Sequence, residues 1–314
     1  MGYVEALKRF PYFVRLGRRV RAALRDLEVD LVLPVDYPGF NMALARDAAR
    51  LGIPVLYFIA PQVWAWKETR AARLAETCDR VLTVFPFEEA LLARYGVSAG
   101  FVGHPLMDEP AEHGAKEPRL GSDTAETLPV LGLFPGSRRQ EVERHLRPFV
   151  EAARLVRKKH PDLEVRIARP EHLEPALYEE FGLPTGTAAD IIRVARAAIT
   201  KSGTITLELA LAGVPMVVGY RTSRATYAAA RRVLRIDTIV LANLVTGERF
   251  VPELIQDDVT PEALARATLP LLDEDSAERA HMTAGLRRVR ASLGEPGCAR
   301  RVADEACVLL AAPC

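Results

Sequence analysis

Cysteine is scarce in this chain and nowhere clustered. Cys78, Cys298, Cys307 and Cys314 are the only four in 314 residues, and none stand in Cys-x-x-Cys or another metal-ligand spacing. So few thiols over such a length make no disulfide framework, which points to a reducing cytoplasm. Long apolar runs are absent as well. None approaches the ~18 residues that a membrane-crossing helix needs, and the first residues carry no apolar signal core. Neither sign of charge is in excess: 42 Lys and Arg face 41 Asp and Glu. A binder of nucleic acid or another long polyanion is therefore not indicated. What is left is an ordinary globular composition, 49% hydrophobic and 26% charged, at a length that suggests two domains.

The most informative stretch is Leu128-Pro-Val-Leu-Gly-Leu-Phe-Pro-Gly-Ser-Arg-Arg-Gln-Glu-Val142. Its apolar run predicts a buried strand over 130–134. Pro135-Gly136 predicts a turn, and a helical pattern follows from about Arg139 to Lys159. A helix amino end offers unpaired N–H groups and a positive dipole end, which suits phosphate. Gly136 permits close backbone approach. Ser137 either caps the helix or bonds a phosphate oxygen, and Arg138 adds a permanent forked cation. An ordinary strand-to-helix turn with a solvated Arg is the alternative. A second stretch repeats this grammar: Ala197-Ala-Ile-Thr runs towards Ser202-Gly203-Thr204 and a helix with Leu207, Leu209 and Leu211. It too offers backbone donors to phosphate. Glu208, just over a turn into that helix, either accepts bonds from ribose hydroxyls or simply favours the helix amino end.

The first half predicts strand–helix–strand units. A strand over 29–35 delivers Asp36 at its carboxyl end, Tyr37-Pro38-Gly39 turns the chain, a helix runs from Phe40 to about Leu51, and a strand covers 53–59. Such units imply a parallel sheet, whose ligands bind beyond the carboxyl ends of the strands. Asp36 is thus placed either as a catalytic carboxylate or as a helix cap. Both tryptophans, Trp64 and Trp66, share one loop with Gln62, as a ligand wall or a core plug. His104 ends a further strand beside Gly103 and Pro105, as a ligand contact, a proton carrier or a bystander. Residues 3–27 set Lys8, Arg9, Arg15, Arg18, Arg19, Arg21 and Arg25 against Glu5 and Asp26. After Pro11 this is a basic amphipathic helix, suited to an anionic membrane surface or to a solvated face.

Residues 108–127 lack apolar periodicity and read as a linker. It separates an amino-terminal domain, 1–125, from a carboxy-terminal domain, 126–314. In the latter, 164–168 is a strand, and 174–196 reads as helical with a break near Pro184. A β-run over 214–220 ends at Tyr220-Arg221, and 243–256 reads as loop with a short helix. Three helices, about 261–272, 276–292 and 297–311, close the chain.

Several pieces stand in a telling order and spacing. They are Val35-Asp36-x-Pro38-x-Phe40-Asn41, Pro61-Gln-Val-Trp-Ala-Trp66, Phe85-Pro-Phe-Glu88, Gly103-His-Pro105, Pro135-Gly-Ser-Arg138, Ser202-Gly-Thr204 with Leu207-Glu208, Gly219-Tyr-Arg221, and Asn243-Leu through Pro252-Glu-Leu-Ile-Gln256. Together they closely resemble the lipid-A-disaccharide synthase family over nearly the whole chain. The resemblance implies a GT-B-like α/β fold: two Rossmann-like domains whose parallel sheets face a cleft. It implies a bacterial inverting glycosyltransferase acting on UDP-2,3-diacylglucosamine and 2,3-diacylglucosamine 1-phosphate. The products are the β-1,6-linked disaccharide and UDP, and neither cofactor nor metal is expected. By the same resemblance Asp36 is the catalytic base. Gly136, Ser137, Arg138, Ser202, Gly203 and Thr204 surround the diphosphate, and Glu208 meets the ribose. Tyr220, Asn243, Glu253 and Gln256 complete the donor side, while Gln62, Trp64, Trp66 and His104 fall on the acceptor side. Acylated substrates favour the membrane-surface role of the basic helix, at the cytoplasmic side of the inner membrane. A homodimer is left open.

The chain departs from the family in places. Its Gly-Glu-x-Ser-Gly-Asp loop and leading strand–helix–strand unit find no counterpart here. The first domain is therefore expected to be incomplete and turnover poor, with UDP binding retained. Gly39 stands where an acidic residue is usual, and Pro34 removes a ladder N–H just before Asp36. A non-catalytic UDP-sugar binder, or another UDP-sugar transferase of the same architecture, are the competing readings.

Overall fold

The computed structural model describes residues 3–63, 69–108, 128–233 and 237–311. The chain divides into two compact units, Met1–Asp108 with Leu293–Cys314, and Glu109–Ser292.

In the first unit α1 (Tyr3–Asp26) and α2 (Pro38–Ala49) precede β1 (Leu56–Phe58). There follow α3 (Thr69–Thr77), β2 (Arg80–Thr83), α4 (Pro86–Ala93) and β3 (Ala99–Phe101). The strands pair in parallel in the order β1-β2-β3. Residues 32–36 run alongside β1 in the same sense, through the bridges Val32↔Val55 and Val35↔Phe58. They do not form the continuous strand expected over 29–35. Val32 N donates to Pro54 O and Phe58 N donates to Pro34 O, but Pro34 has no N–H to return, so a rung is missing. Helix α1 begins at Tyr3, ahead of Pro11 rather than after it.

Neighbouring side chains of a strand point to opposite faces. Tyr57 and Val81 face a core with Ala45 and Ala48 of α2, Ala71 and Leu74 of α3 and Leu92 of α4. Leu56 and Leu82 face the other way, onto Cys298 and Val302 of the C-terminal helix. Charge fastens that helix. The Asp108 carboxylate accepts from three N–H groups at its amino end, Gly297 (2.5 Å), Cys298 (2.9 Å) and Ala299 (2.8 Å). Desolvation pushes the Asp108 carboxyl up, yet these bonds and Arg301 hold it below its ordinary value. Arg80 grips Glu305 through two bonds, 3.1 and 3.0 Å long. Residues 293–314 therefore group with the first unit. This differs from the single carboxy-terminal domain, 126–314, that the sequence suggests.

The second unit is a longer α/β alternation. It begins with β4 (Val130–Phe134), α5 (Arg139–Arg157), β5 (Glu164–Ala168), α6 (Ala176–Glu179), β6 (Thr185–Gly186) and α7 (Ala188–Val194). It continues with β7 (Ala195–Thr200), α8 (Ile205–Leu211), β8 (Met216–Tyr220), α9 (Arg224–Val233) and α10 (Leu241–Thr246). It ends with β9 (Glu253–Ile255), α11 (Pro261–Leu272) and α12 (Ala277–Ser292), and the C-terminal helix is α13 (Cys298–Ala311). The strands lie in the order β6-β5-β4-β7-β8-β9, all parallel. The chain adds strands on one side of β4, then returns and builds on the other, so the order reverses between β4 and β7. In this doubly wound arrangement ligands bind where the carboxyl ends of those two strands diverge.

β4 is buried along its whole length, as suits a central parallel strand. Gly132 within it admits α7: a Cβ there would stand 2.9 Å from Ile191. Two short edge strands occupy places where the sequence suggested helix or loop. Pro184 breaks the pattern over 174–196, and Thr185-Gly186 then pair with Ile167 and Ala168. At the opposite edge β9 pairs with β8.

Candidate functional site

The two stretches prominent in the sequence meet at this switch point. Beyond Phe134, Gly136 turns at φ +131°, a region L side chains rarely enter, and a Cβ there would lie 2.5 Å from Glu141 Cβ. Arg138, not Ser137, is the N-cap residue of α5, and no side chain caps it. Ser137 instead offers its carbonyl to His172 Nε2 at 3.0 Å. Its N–H, expected to face a ligand, donates to Glu141 Oε2 at 3.0 Å. Across the switch point Gly203 turns at φ +149°, and α8 starts after Thr204. The two loops wall a cavity of ≈ 570 Å³, to which Gly136, Ser137, Arg138, Gly203, Thr204 and Glu208 all contribute. Lys201, Thr187, and Arg169 and Glu171 from beyond the end of β5 complete its polar lining. The space suits a nucleotide.

Charge is concentrated there. The Arg138 side chain is 63% exposed and its Nη1 lies 3.2 Å from Glu141 Oε1. The Lys201 side chain is only 16% exposed, and its Nζ lies 3.4 Å from the same oxygen. Burial pushes the Glu141 carboxyl up, but Lys201, the Ser137 N–H and Arg138 outweigh it and hold the group below its ordinary value. His145 is buried beneath the loop. Its Nδ1 lies 2.7 Å from Glu141 O, and its Nε2 accepts from Arg221 N at 2.8 Å. That geometry puts the proton on Nδ1, and burial pushes the imidazole pKa down to about 4. Tyr220 stacks on the same ring, centroids 5.8 Å apart. Burial pushes its hydroxyl pKa up, and the Glu141 charge adds to this.

Other residues expected around the donor act as braces. The Ser202 hydroxyl donates to Ile239 O at 2.5 Å. Asn243 spends its whole capacity on the chain. Its Nδ2 donates to Val251 O and Glu253 Oε1, both at 2.9 Å, and its Oδ1 accepts from Phe250 N (3.2 Å) and Val251 N (2.9 Å). The Glu253 carboxylate also accepts from the Thr238 hydroxyl and from Ile239 N. Gln256 brackets Thr222, accepting from its N at 2.6 Å and donating to its O at 3.1 Å. Ser202, Tyr220, Asn243, Glu253 and Gln256 thus stand apart from the cavity lining. Through Ile239, the chain of bonds from Ser202 to Glu253 and Asn243 holds the β7–α8 loop in place.

In the first unit Asp36 follows the segment paired with β1, exposed to solvent. Asp36 and Tyr37 both turn at positive φ, +47° and +43°. Tyr37 is the N-cap residue of α2 and no side chain caps that helix, so Asp36 is not a cap. Its backbone is pinned. The Asp36 N–H donates to Phe58 O at 2.9 Å, and its carbonyl accepts from the Tyr57 hydroxyl (2.8 Å) and the Asn41 amide (2.7 Å). Ile59, just past β1, is also left-handed at φ +59°. Such backbone strain collects at functional sites. His104 is different. Its Nδ1 accepts from Leu106 N at 3.2 Å, its own N–H donates to Leu293 O at 2.9 Å, and burial pushes its pKa down to about 4. It is a neutral structural cap. Gln62 is exposed beyond β1, and Trp64 and Trp66 lie outside the described residues.

The family model for lipid-A-disaccharide synthetase matches residues 1–304. The chain belongs to that family. A lipid-A-disaccharide synthase from Geobacter metallireducens is 39% identical over 314 residues, covering 96% of this chain and 81% of the relative. Among solved structures, the UDP-GlcNAc 2-epimerase from Neisseria meningitidis bound to UDP-GlcNAc matches with a TM-score of 0.62 at 13% identity, over 94% of this chain and 81% of that one. The glycotransferase of kitacinnamycin matches with a TM-score of 0.58 at 18% identity, over 95% and 80%. At such identities the likeness concerns the fold, which is GT-B-like. Membership of the lipid-A-disaccharide synthase family makes the chain a glycosyltransferase of lipid A biosynthesis.

Two charged residues at this candidate site, Lys201 and Glu141, do not stand out in the sequence. Lys201 follows an apolar strand directly and precedes Ser-Gly-Thr, and a lone cation in that position was a usable signal. Glu141 resembles any acid in the first turn of a helix. Only the fold brings the two side chains together.

Proposed function

We propose that the protein transfers 2,3-diacylglucosamine from UDP-2,3-diacylglucosamine to the 6-hydroxyl of 2,3-diacylglucosamine 1-phosphate, with inversion. The products are the β-1,6-linked disaccharide 1-phosphate and UDP. One observation carries this reading for a chain of this family: two glycine-turned loops with Arg138 and Lys201 beside a nucleotide-sized cavity. The nucleoside occupies the cavity with Glu208 at its ribose, and the diphosphate meets Arg138, Lys201 and the Gly203–Thr204 backbone. Asp36 takes the acceptor hydroxyl proton as that oxygen attacks the anomeric carbon. The bond from this carbon to the UDP oxygen breaks, and its electron pair leaves with UDP, stabilised by the fixed cations.

Calorimetric titration with UDP tests the donor site. A charge-assisted bond contributes about 1.5–3 kcal/mol, so Arg138→Ala is expected to weaken UDP binding about 10- to 100-fold. Equal affinity of the two proteins overturns the assignment.

The same reading puts the protein at the cytoplasmic surface of the inner membrane. Arg15, Arg18, Arg19 and Arg25 are exposed on α1, beside exposed Tyr12 and Val14. A groove of ≈ 700 Å³ between α2 and α3 adds Arg46, Arg50, Arg70 and Arg73 against Glu76. No helix among the described residues is long and apolar enough to cross a membrane. Each basic residue near an anionic surface contributes about 1 kcal/mol, so replacing Arg15, Arg18 and Arg19 by Gln is expected to lower retention on anionic vesicles about 100-fold. Retention equal to that of the unsubstituted protein removes α1 from the contact.

A further inference from the structure

We propose that Glu141 is a positioning residue that yokes Lys201 and Arg138, from two different loops, into one two-cation clamp for a diphosphate. The inference rests on the donor-site reading above and goes beyond it by assigning Lys201 and Glu141. One oxygen, Glu141 Oε1, lies 3.2 Å from Arg138 Nη1 and 3.4 Å from Lys201 Nζ. The other, Oε2, accepts the Ser137 N–H at 3.0 Å. A single carboxylate therefore ties the β4–α5 loop to the β7–α8 loop across the switch point. Its own backbone is tied down in turn, since Glu141 O lies 2.7 Å from His145 Nδ1.

Lys201 is not a solvated surface cation. Its side chain is largely buried, it lines the cavity, and its Nζ would stand 3.0 Å from a Cβ at Gly203. A cation so placed needs an anionic partner. Glu141 supplies half of one, because Arg138 shares the same oxygen. Two cations thus share one carboxylate oxygen at the wall of a cavity where the phosphates of a nucleoside diphosphate would lie. Without Glu141 the two cations repel each other and the loops lose their common anchor. The Gly136 turn, which closes against Glu141 Cβ and leaves no room for a side chain, fits the same arrangement.

The test compares UDP with uridine, which lacks the diphosphate, on the whole chain carrying Glu141→Gln, Lys201→Met or both. Glu141→Gln is expected to weaken UDP binding about tenfold and to leave uridine binding unchanged. Lys201→Met is expected to do the same, and the loss in the double variant to fall short of the product of the two single losses. Affinity for UDP that is unchanged or tighter in Glu141→Gln overturns the proposal. So do simply additive effects, or equal losses for UDP and uridine. Should Glu141→Gln unfold, Lys201→Met leaves the Ser137 N–H bond intact and carries the comparison between the two ligands. If Arg138→Ala also binds UDP normally, the donor-site reading itself has failed. If Arg138→Ala binds weakly and Lys201→Met does not, only the clamp has failed.

Discussion

Asp36→Asn is expected to lower disaccharide formation about a thousandfold while UDP affinity stays as it was. The substitution is close to a pure removal of the base. The three hydrogen bonds that set the Asp36 turn all use its backbone, its N–H to Phe58 O and its carbonyl from the Tyr57 hydroxyl and the Asn41 amide. Asn is among the few residues that adopt positive φ readily, so the +47° turn is kept. The amide cannot accept a proton from the acceptor hydroxyl, so the nucleophile is no longer activated during attack. Measuring turnover and UDP binding on the same preparations separates chemistry from folding. Near-normal turnover removes Asp36 as the base. A parallel loss of UDP affinity assigns the effect to structure instead.

Acidification from pH 7.5 to 5 is expected to lower the melting temperature, and two buried imidazoles are the reason. His104 and His145 are 8% and 1% exposed, and each has its pKa pushed from 6.5 to about 4 by burial. Between those values the unfolded chain binds protons that the folded chain refuses, so stability is full above pH 6.5 and is lost as pH falls. Each group accounts for about 3 kcal/mol once pH reaches 4, and about 2 kcal/mol at pH 5. One histidine lies in each unit, so both weaken, and Tm is expected to drop by about 5 °C at pH 5. Asp108 and Glu141 are held below their ordinary values, so their contribution persists through this window and disappears only at lower pH. His104→Asn and His145→Gln cannot titrate and are expected to flatten the profile. An equal Tm at both pH values, or an unaltered slope in the double variant, contradicts this account.

Much of the architecture is legible in the residues because it rests on local rules. The run Val130–Phe134 followed by Pro-Gly can hardly be anything but a buried strand entering a turn, and the second loop repeats the pattern. The edges were harder to read. β6 and β9 have only a few residues each, and their pairing partners, Ile167-Ala168 and Val218–Tyr220, decide them more than their own composition does. Pro34 is visible in the sequence, but its cost to the ladder shows only against Phe58 and Pro54. At the site, glycines and Arg138 announced themselves through special backbone needs and permanent charge. Asn243, Glu253 and Gln256 carry the same polar groups whether they meet a ligand or the main chain. The sequence suggests the donor for all three, and in the fold their side chains bond Val251, Ile239 and Thr222.

The return of α13 to the first unit has a consequence for biosynthesis. The helix that covers Leu56 and Leu82 leaves the ribosome only after the whole of Glu109–Ser292. Until then one face of the β1-β2-β3 sheet has no lid, and the Asp108 carboxylate has no helix end to grip. The second unit, contiguous in sequence, can complete its sheet first, although it is translated later. The amino-terminal residues must therefore wait on the carboxy-terminal ones, and a nascent chain halted before residue 293 exposes apolar surface of the kind that chaperones bind.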